Sequence, residues 1–167
     1  MAGFPGTVNL YPSIGVPGAY ASNNPVVTTP TGYAAGANIT VGSFCWPDGE
    51  NAGLVLNTGT GAPLGFVVRE VTSPIVTQAE AQDYVPEGYA VSVAVAGDFF
   101  ATPTATVTAG QKVFASTTDG TIKGAAAGST ESGYIETPFY FVTGGDNGDT
   151  VIISSNVIGV VPTTAVP

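Results

Sequence analysis

Tyr89-Ala90-Val91-Ser92-Val93-Ala94-Val95-Ala96-Gly97-Asp98-Phe99-Phe100-Ala101 is the stretch that decides the fold. Tyr89, Val91, Val93 and Val95 alternate with Ala90, Ser92 and Ala94, the period-two pattern of a half-buried strand. Gly97-Asp98 then turns the chain into a second short run, Phe99-Phe100-Ala101. The same grammar continues toward the C-terminus. Thr104 to Val107 is short, Ala109-Gly110 leads into Lys112-Val113-Phe114-Ala115, and Asp119-Gly120 predicts a hairpin returning through Thr121-Ile122-Lys123. A Gly/Ala/Ser loop fills 124–132. Tyr134 to Thr143 predicts a long strand, broken or placed at an edge by Pro138. Asn147-Gly148 is a second hairpin signal before the last strand, Asp149 to Ser155.

Toward the N-terminus, Ile75 to Tyr84 holds Thr77-Gln78-Ala79-Glu80-Ala81, a candidate helical turn. Pro63 to Val71 predicts a strand with Leu64, Phe66 and Val68 on one face and Val67 and Arg69 on the other. Leu54-Val55-Leu56 is a short strand. Ile39 to Trp46 is another, closed by the turn Pro47-Asp48-Gly49. Many short strands with Gly/Pro turns predict an all-β fold, an antiparallel β-barrel or sandwich, spanning 38–156. Strands carrying so little charge on their edges are an aggregation hazard unless those edges are paired.

Before this body, residues 1–37 read as an extended Pro/Gly-rich arm. Pro5, Pro12, Pro17, Pro25 and Pro30 block helix and remove donors. Phe4, Leu10, Tyr11, Ile14, Tyr20 and Tyr33 punctuate the arm, and a plain linker would not carry them; they either pack the segment on its own domain or order it on a neighbouring protein. Fully extended, such an arm reaches roughly 120 Å. Ordering about 25 residues costs roughly 25–50 kcal/mol, which burial of roughly 1000–2000 Å² of apolar surface offsets. The six named side chains, with Val160 and Val161 in the apolar tail 157–167, are the candidate partner-binding residues.

Charge narrows the partners. Of 167 residues only 9% are charged, with 12 acidic against 3 basic, Arg69, Lys112 and Lys123, for a net charge of −9. Phosphate backbones are bound by neutralising them with Lys and Arg, so no nucleic-acid partner is expected, nor an anionic membrane surface. No apolar run approaches the roughly 18 residues of a spanning helix. Met1-Ala2-Gly3-Phe4-Pro5 lacks the charged start and apolar run of a signal peptide, so synthesis in the host cytoplasm is expected.

The chemistry of catalysis is thin. There is no His, the commonest general base and metal ligand, so Ser-His and Cys-His nucleophile systems are excluded. A single Cys, Cys45, makes neither an internal disulfide nor a zinc site; in Phe44-Cys45-Trp46 it reads as a buried structural residue. Gly144-Gly145-Asp146-Asn147-Gly148-Asp149 is oxygen-rich but lacks the pattern of a calcium loop, so it reads as a hairpin turn. Gly59-Thr60-Gly61 has no Lys nearby and no following helix, which argues against a phosphate cradle. Asp48 and Glu50 are the one carboxylate pair for glycoside chemistry. Trp46, Tyr84, Tyr89, Tyr134 and Tyr140 are the candidate sugar-stacking face, and at strand spacing they read first as core or rim residues. No catalytic residue, cofactor or metal is expected.

Several runs resemble the structural cement, or capsid decoration, proteins of tailed phages. They are Gly18-Ala19-Tyr20-Ala21-Ser22-Asn23-Asn24-Pro25, Val41-Gly42-Ser43-Phe44, Gly61-Ala62-Pro63-Leu64-Gly65-Phe66-Val67-Val68-Arg69-Glu70, Gly97-Asp98-Phe99-Phe100, Gly110-Gln111-Lys112-Val113-Phe114-Ala115, Thr118-Asp119-Gly120-Thr121-Ile122 and Ile135-Glu136-Thr137. They fall in the family's order between about Gly18 and Ser155. The resemblance implies a non-catalytic virion protein on the capsid exterior that bridges major capsid proteins. A homo-oligomer is expected, a trimer ahead of a dimer. The alternative is a virion fibre or tail-tip adhesin that binds host glycans.

Overall fold

The structure, a computed structural model, describes residues 15–70 and 83–155. These residues form fourteen strands and no helix. They are β1 (Val27–Thr28), β2 (Tyr33–Ala35), β3 (Ile39–Thr40), β4 (Phe44–Pro47), β5 (Leu54–Leu56), β6 (Gly65–Val67) and β7 (Tyr84–Val85). Then follow β8 (Ala90–Val91), β9 (Val93–Ala96), β10 (Asp98–Ala101), β11 (Lys112–Ser116), β12 (Ile122–Ala125), β13 (Tyr134–Phe141) and β14 (Val151–Ser154). One sheet runs β1-β9-β6-β4-β5-β2-β8, a second β10-β14-β13-β11-β12, and a third pairs β3 with β7. All strand pairs are antiparallel except β2 with β5. The sheets stay open, so the architecture is a sandwich and not a closed barrel.

The seven-stranded sheet is apolar on both faces, and this sets the layering. Phe44, Trp46, Phe66, Val68 and Ala94 point into a first core against Phe99, Val113, Phe139, Phe141, Val151 and Ile153 of the five-stranded sheet. Cys45, Val67 and Val93, their neighbours in sequence, point the other way into a second core with Ala35, Ile39, Val41, Val55, Val85 and Val91. Successive side chains of a strand face opposite sides, so a strand buried on both sides must be apolar at every position. That demand accounts for a chain with only 9% charged residues. At the centre of the first core the Phe66 ring lies 5.4 Å from Phe44, 5.2 Å from Phe99 and 6.2 Å from Phe139, centre to centre.

Two-sided burial also explains where the sequence expectations fail. The run from Tyr89 to Val95 is not one half-buried strand. It divides at Ser92 into β8 and β9, Val93 and Ala94 are both buried on opposite faces, and Val95 is 37% exposed. Leu64 packs against the second core, not beside Phe66 and Val68. Ile39 to Trp46 divides into β3 and β4 around Gly42, whose φ of +77° turns the chain between the two sheets. Thr104 to Val107 forms no strand, and isolated bridges at Pro103 and Val107, with hydrogen bonds from Thr104 to the Ile122 carbonyl and from Thr106 to Asp146, tie this connection down. The candidate helical turn at 77–81 lies outside the described residues.

Pro138 is neither at an edge nor a break. β13 lies between β14 and β11, and five residues of β13, Glu136 to Tyr140, span three of β11, Phe114 to Lys112. The excess is a bulge that places Pro138 where no ladder donor is needed. The Thr137 hydroxyl donates to the Val113 carbonyl at 2.8 Å and satisfies the gap the bulge leaves.

Candidate functional site

Residues 15–28 are built onto the body as a strap over the edges of both large sheets. It opens with a turn, Val16-Pro17-Gly18-Ala19. Ala19 N–H donates to the Val16 carbonyl at 3.1 Å and Gly18 has φ +83°, which is the turn that wants Pro then Gly at its centre. Gly18 N–H and Ala21 N–H donate to Phe100 and Asp98 carbonyls at 2.8 and 2.9 Å, and Phe100 N–H donates to Ala19 at 2.9 Å. This covers the free side of β10. Further on, β1 pairs with β9, Val27 opposite Ala96. Arg69 helps hold the root of the strap. Its Nε donates to the Pro17 carbonyl at 3.1 Å and its Nη2 reaches Asp83 at 2.6 Å.

Asp98 is the polar centre of this region and is 8% exposed. Its Oδ2 accepts from Ser22 Oγ and Asn24 Nδ2, both at 2.6 Å, and its Oδ1 accepts from Ser154 Oγ at 2.5 Å. A buried carboxylate is tolerated only when donors surround it. Beside it opens a depression of about 280 Å³, bordered by Ser22, Asn24, Tyr140, Val142 and Ile152. None of Ser22, Asn24 or Asp98 is among the sequence-based candidates. In the sequence Gly97-Asp98 reads only as a turn into Phe99-Phe100-Ala101.

Of the eight candidate partner-binding residues, Phe4, Leu10, Tyr11, Ile14, Val160 and Val161 lie outside the described residues. Tyr20 sits on the strap, 45% exposed, with its ring 5.8 Å from Phe99. Partial burial lifts its phenol above the usual value, and the charge and hydrogen bond of Glu70 add to this. Tyr33 packs against the second core at the opposite side of the seven-stranded sheet. Tyr20 and Tyr33 therefore belong to different surfaces.

The residues weighed for other chemistry are dispersed. Trp46 is buried, with its indole N–H on the Gly61 carbonyl at 2.9 Å, so it is withdrawn from any stacking face. Tyr134 lies under the Lys123 ammonium at 4.0 Å, and Lys123 pairs with Glu131 at 2.8 Å. Asp48 caps its own turn. Its Oδ2 accepts from Asn51 Nδ2 and its Oδ1 from Glu50 N–H, both at 2.9 Å, and these bonds hold its carboxyl below the ordinary value. In the Gly144–Asp149 turn, Asp149 Oδ2 accepts from Asp146 N–H at 2.9 Å and Asp146 Oδ1 accepts from Thr106 Oγ1 at 3.1 Å. Among the described residues no group of three or more His, Cys, Asp or Glu side chains converges.

Cys45 is fully buried, and burial pushes its thiol up to about 12. The thiolate is the reactive form. Native protein is therefore expected to leave Ellman's reagent unreacted near pH 8, and to release one equivalent once unfolded. Appreciable labelling of the native protein would show the second core to be open.

Residues 4–155 match the family model described as XM1 gp53 minor capsid protein. The chain belongs to that family, and its role is structural, in a capsid and so in the virion. A chain of the solved structure "The capsid of Myoviridae Phage XM1" has the same fold, with a TM-score of 0.62 and 17% identity, over 93% of this chain and 99% of that one. No curated protein matches the sequence.

Proposed function

We propose that the chain binds the outer surface of the capsid and cements neighbouring major capsid proteins, without catalysis. The observation that carries this reading is that two apolar cores are built from residues within 15–70 and 83–155. On this reading Phe4, Leu10, Tyr11, Ile14, Val160 and Val161 are the side chains that contact a neighbour. Val16 and Tyr20 at the root of the strap, 52% and 45% exposed, continue that surface. Bridging of copies as a homo-oligomer, a trimer ahead of a dimer, fits closed symmetry on a shell.

Apolar area removed from water supplies the affinity, at about 25 cal/mol per Å². The excess of acidic groups contributes little to holding, because surface ion pairs are worth about 0–1 kcal/mol each. Binding should therefore survive raised salt. The test removes 1–14 and 156–167 and leaves the strap and body whole. Full-length protein is expected to bind expanded shells and raise their disruption temperature, and the truncated protein to do neither. Shell binding undiminished by the double truncation would sink the arm mechanism.

A further inference from the structure

We propose that Gly97-Asp98-Phe99-Phe100 is the receiver for the strap of residues 15–28, and that Asp98 is the latch that keeps it closed. Each receiver residue has a separate task. Gly97, at φ +146°, lets the chain pass from β9 in one sheet to β10 in the other, and a Cβ there would lie 2.7 Å from the Phe99 ring and 3.1 Å from Val26 of the strap. Phe99 carries Tyr20 on its ring. Phe100 carries Gly15, where even a methyl group would overlap the ring. Asp98 gathers the two side-chain donors that the strap offers, Ser22 Oγ and Asn24 Nδ2, on one oxygen.

The latch matters because of what the strap covers. β9 and β10 each turn one side to the strap, which supplies partners to the Asp98 and Phe100 backbone groups and, through β1, pairs with β9. An uncovered sheet edge is a template for pairing with another chain. A closed strap keeps both edges from doing so and fixes the point from which residues 1–14 depart. Ser22, Asn23, Asn24 and Pro25 are all exposed, so little apolar burial holds this middle stretch. Two hydrogen bonds to a charged acceptor carry the closure instead.

The experiment is hydrogen exchange on free, full-length protein, comparing the wild type with Ser22→Ala/Asn24→Ala. Ser154 Oγ still donates to Asp98 in the variant, and the interior amides report whether the body keeps its fold. Amides of Gly18 and Ala21, which donate across the strap, are expected to exchange about a hundredfold faster in the variant. Amides of Val67 and Phe141, in the interiors of the two sheets, are expected to keep their rates. Unchanged rates at Gly18 and Ala21, or equal acceleration at all four positions, would overturn the latch. No shell enters the measurement, so its outcome is independent of capsid binding.

Discussion

Phe66→Ala is expected to lower unfolding stability by about 3–5 kcal/mol, a large part of the roughly 5–15 kcal/mol a domain possesses. Phe66 is fully buried and its ring meets Phe44, Phe99 and Phe139, so it touches both sheets of the sandwich. Removing it costs the transfer energy of the ring and the aromatic pair terms, and leaves a void. The void cannot collapse, because the strands around it are fixed from behind. Val67 and Cys45 bind β6 and β4 to the second core. Urea unfolding should show a lower midpoint with an unchanged slope. Phe66→Leu, which keeps most of the volume, should cost less than half as much. Equal losses from the two variants would mean that the ring contacts, and not the filled volume, carry the loss.

The sequence made the strand grammar legible wherever a turn residue had one conformational purpose. Asp119-Gly120 and Asn147-Gly148 joined the strands expected of them, with glycines at φ +71° and +87°. It was less legible where one strand serves two cores. In Phe66-Val67-Val68 and Val93-Ala94 every residue is apolar, so nothing in the pattern says which side is in, and Leu64 was assigned to the wrong core for that reason. Nor is a split visible when one strand feeds two partners. Phe44 and Cys45 of β4 pair with β6, whereas Trp46 and Pro47 pair with β5.

The strap was hidden by its composition. Pro17, Pro25 and the Gly residues between them read as an arm, because proline's missing donor argues against a ladder. Yet β10 needs only the donors of Gly18 and Ala21 and the acceptor of Ala19, and the prolines fall outside those three positions. The acceptor that closes the arrangement, Asp98, lies 74 residues from Asn24 and 76 from Ser22. Such pairings are set by topology, and no local window of sequence contains both partners.

Gly120→Ala is expected to destabilise the protein by about 3 kcal/mol or more. Two costs act together there. At φ +71° an L-residue is strained, by roughly 1–2 kcal/mol. The added Cβ would also overlap the Phe44 carbonyl oxygen and lie 3.1 Å from its carbon. Phe44 cannot retreat, because its N–H donates to the Gly120 carbonyl at 2.8 Å and its ring is held in the first core. The Asp119-Gly120 hairpin is thus a clip between the five-stranded and seven-stranded sheets as well as a turn. Gly148→Ala separates the two costs. Gly148 has φ +87° but nothing within 4 Å of an added Cβ, so only the strain of about 1–2 kcal/mol remains. If thermal unfolding shows equal losses for the two variants, the close approach to Phe44 contributes nothing. A loss at Gly120 at least twice that at Gly148 would place the joint between the two sheets at this carbonyl.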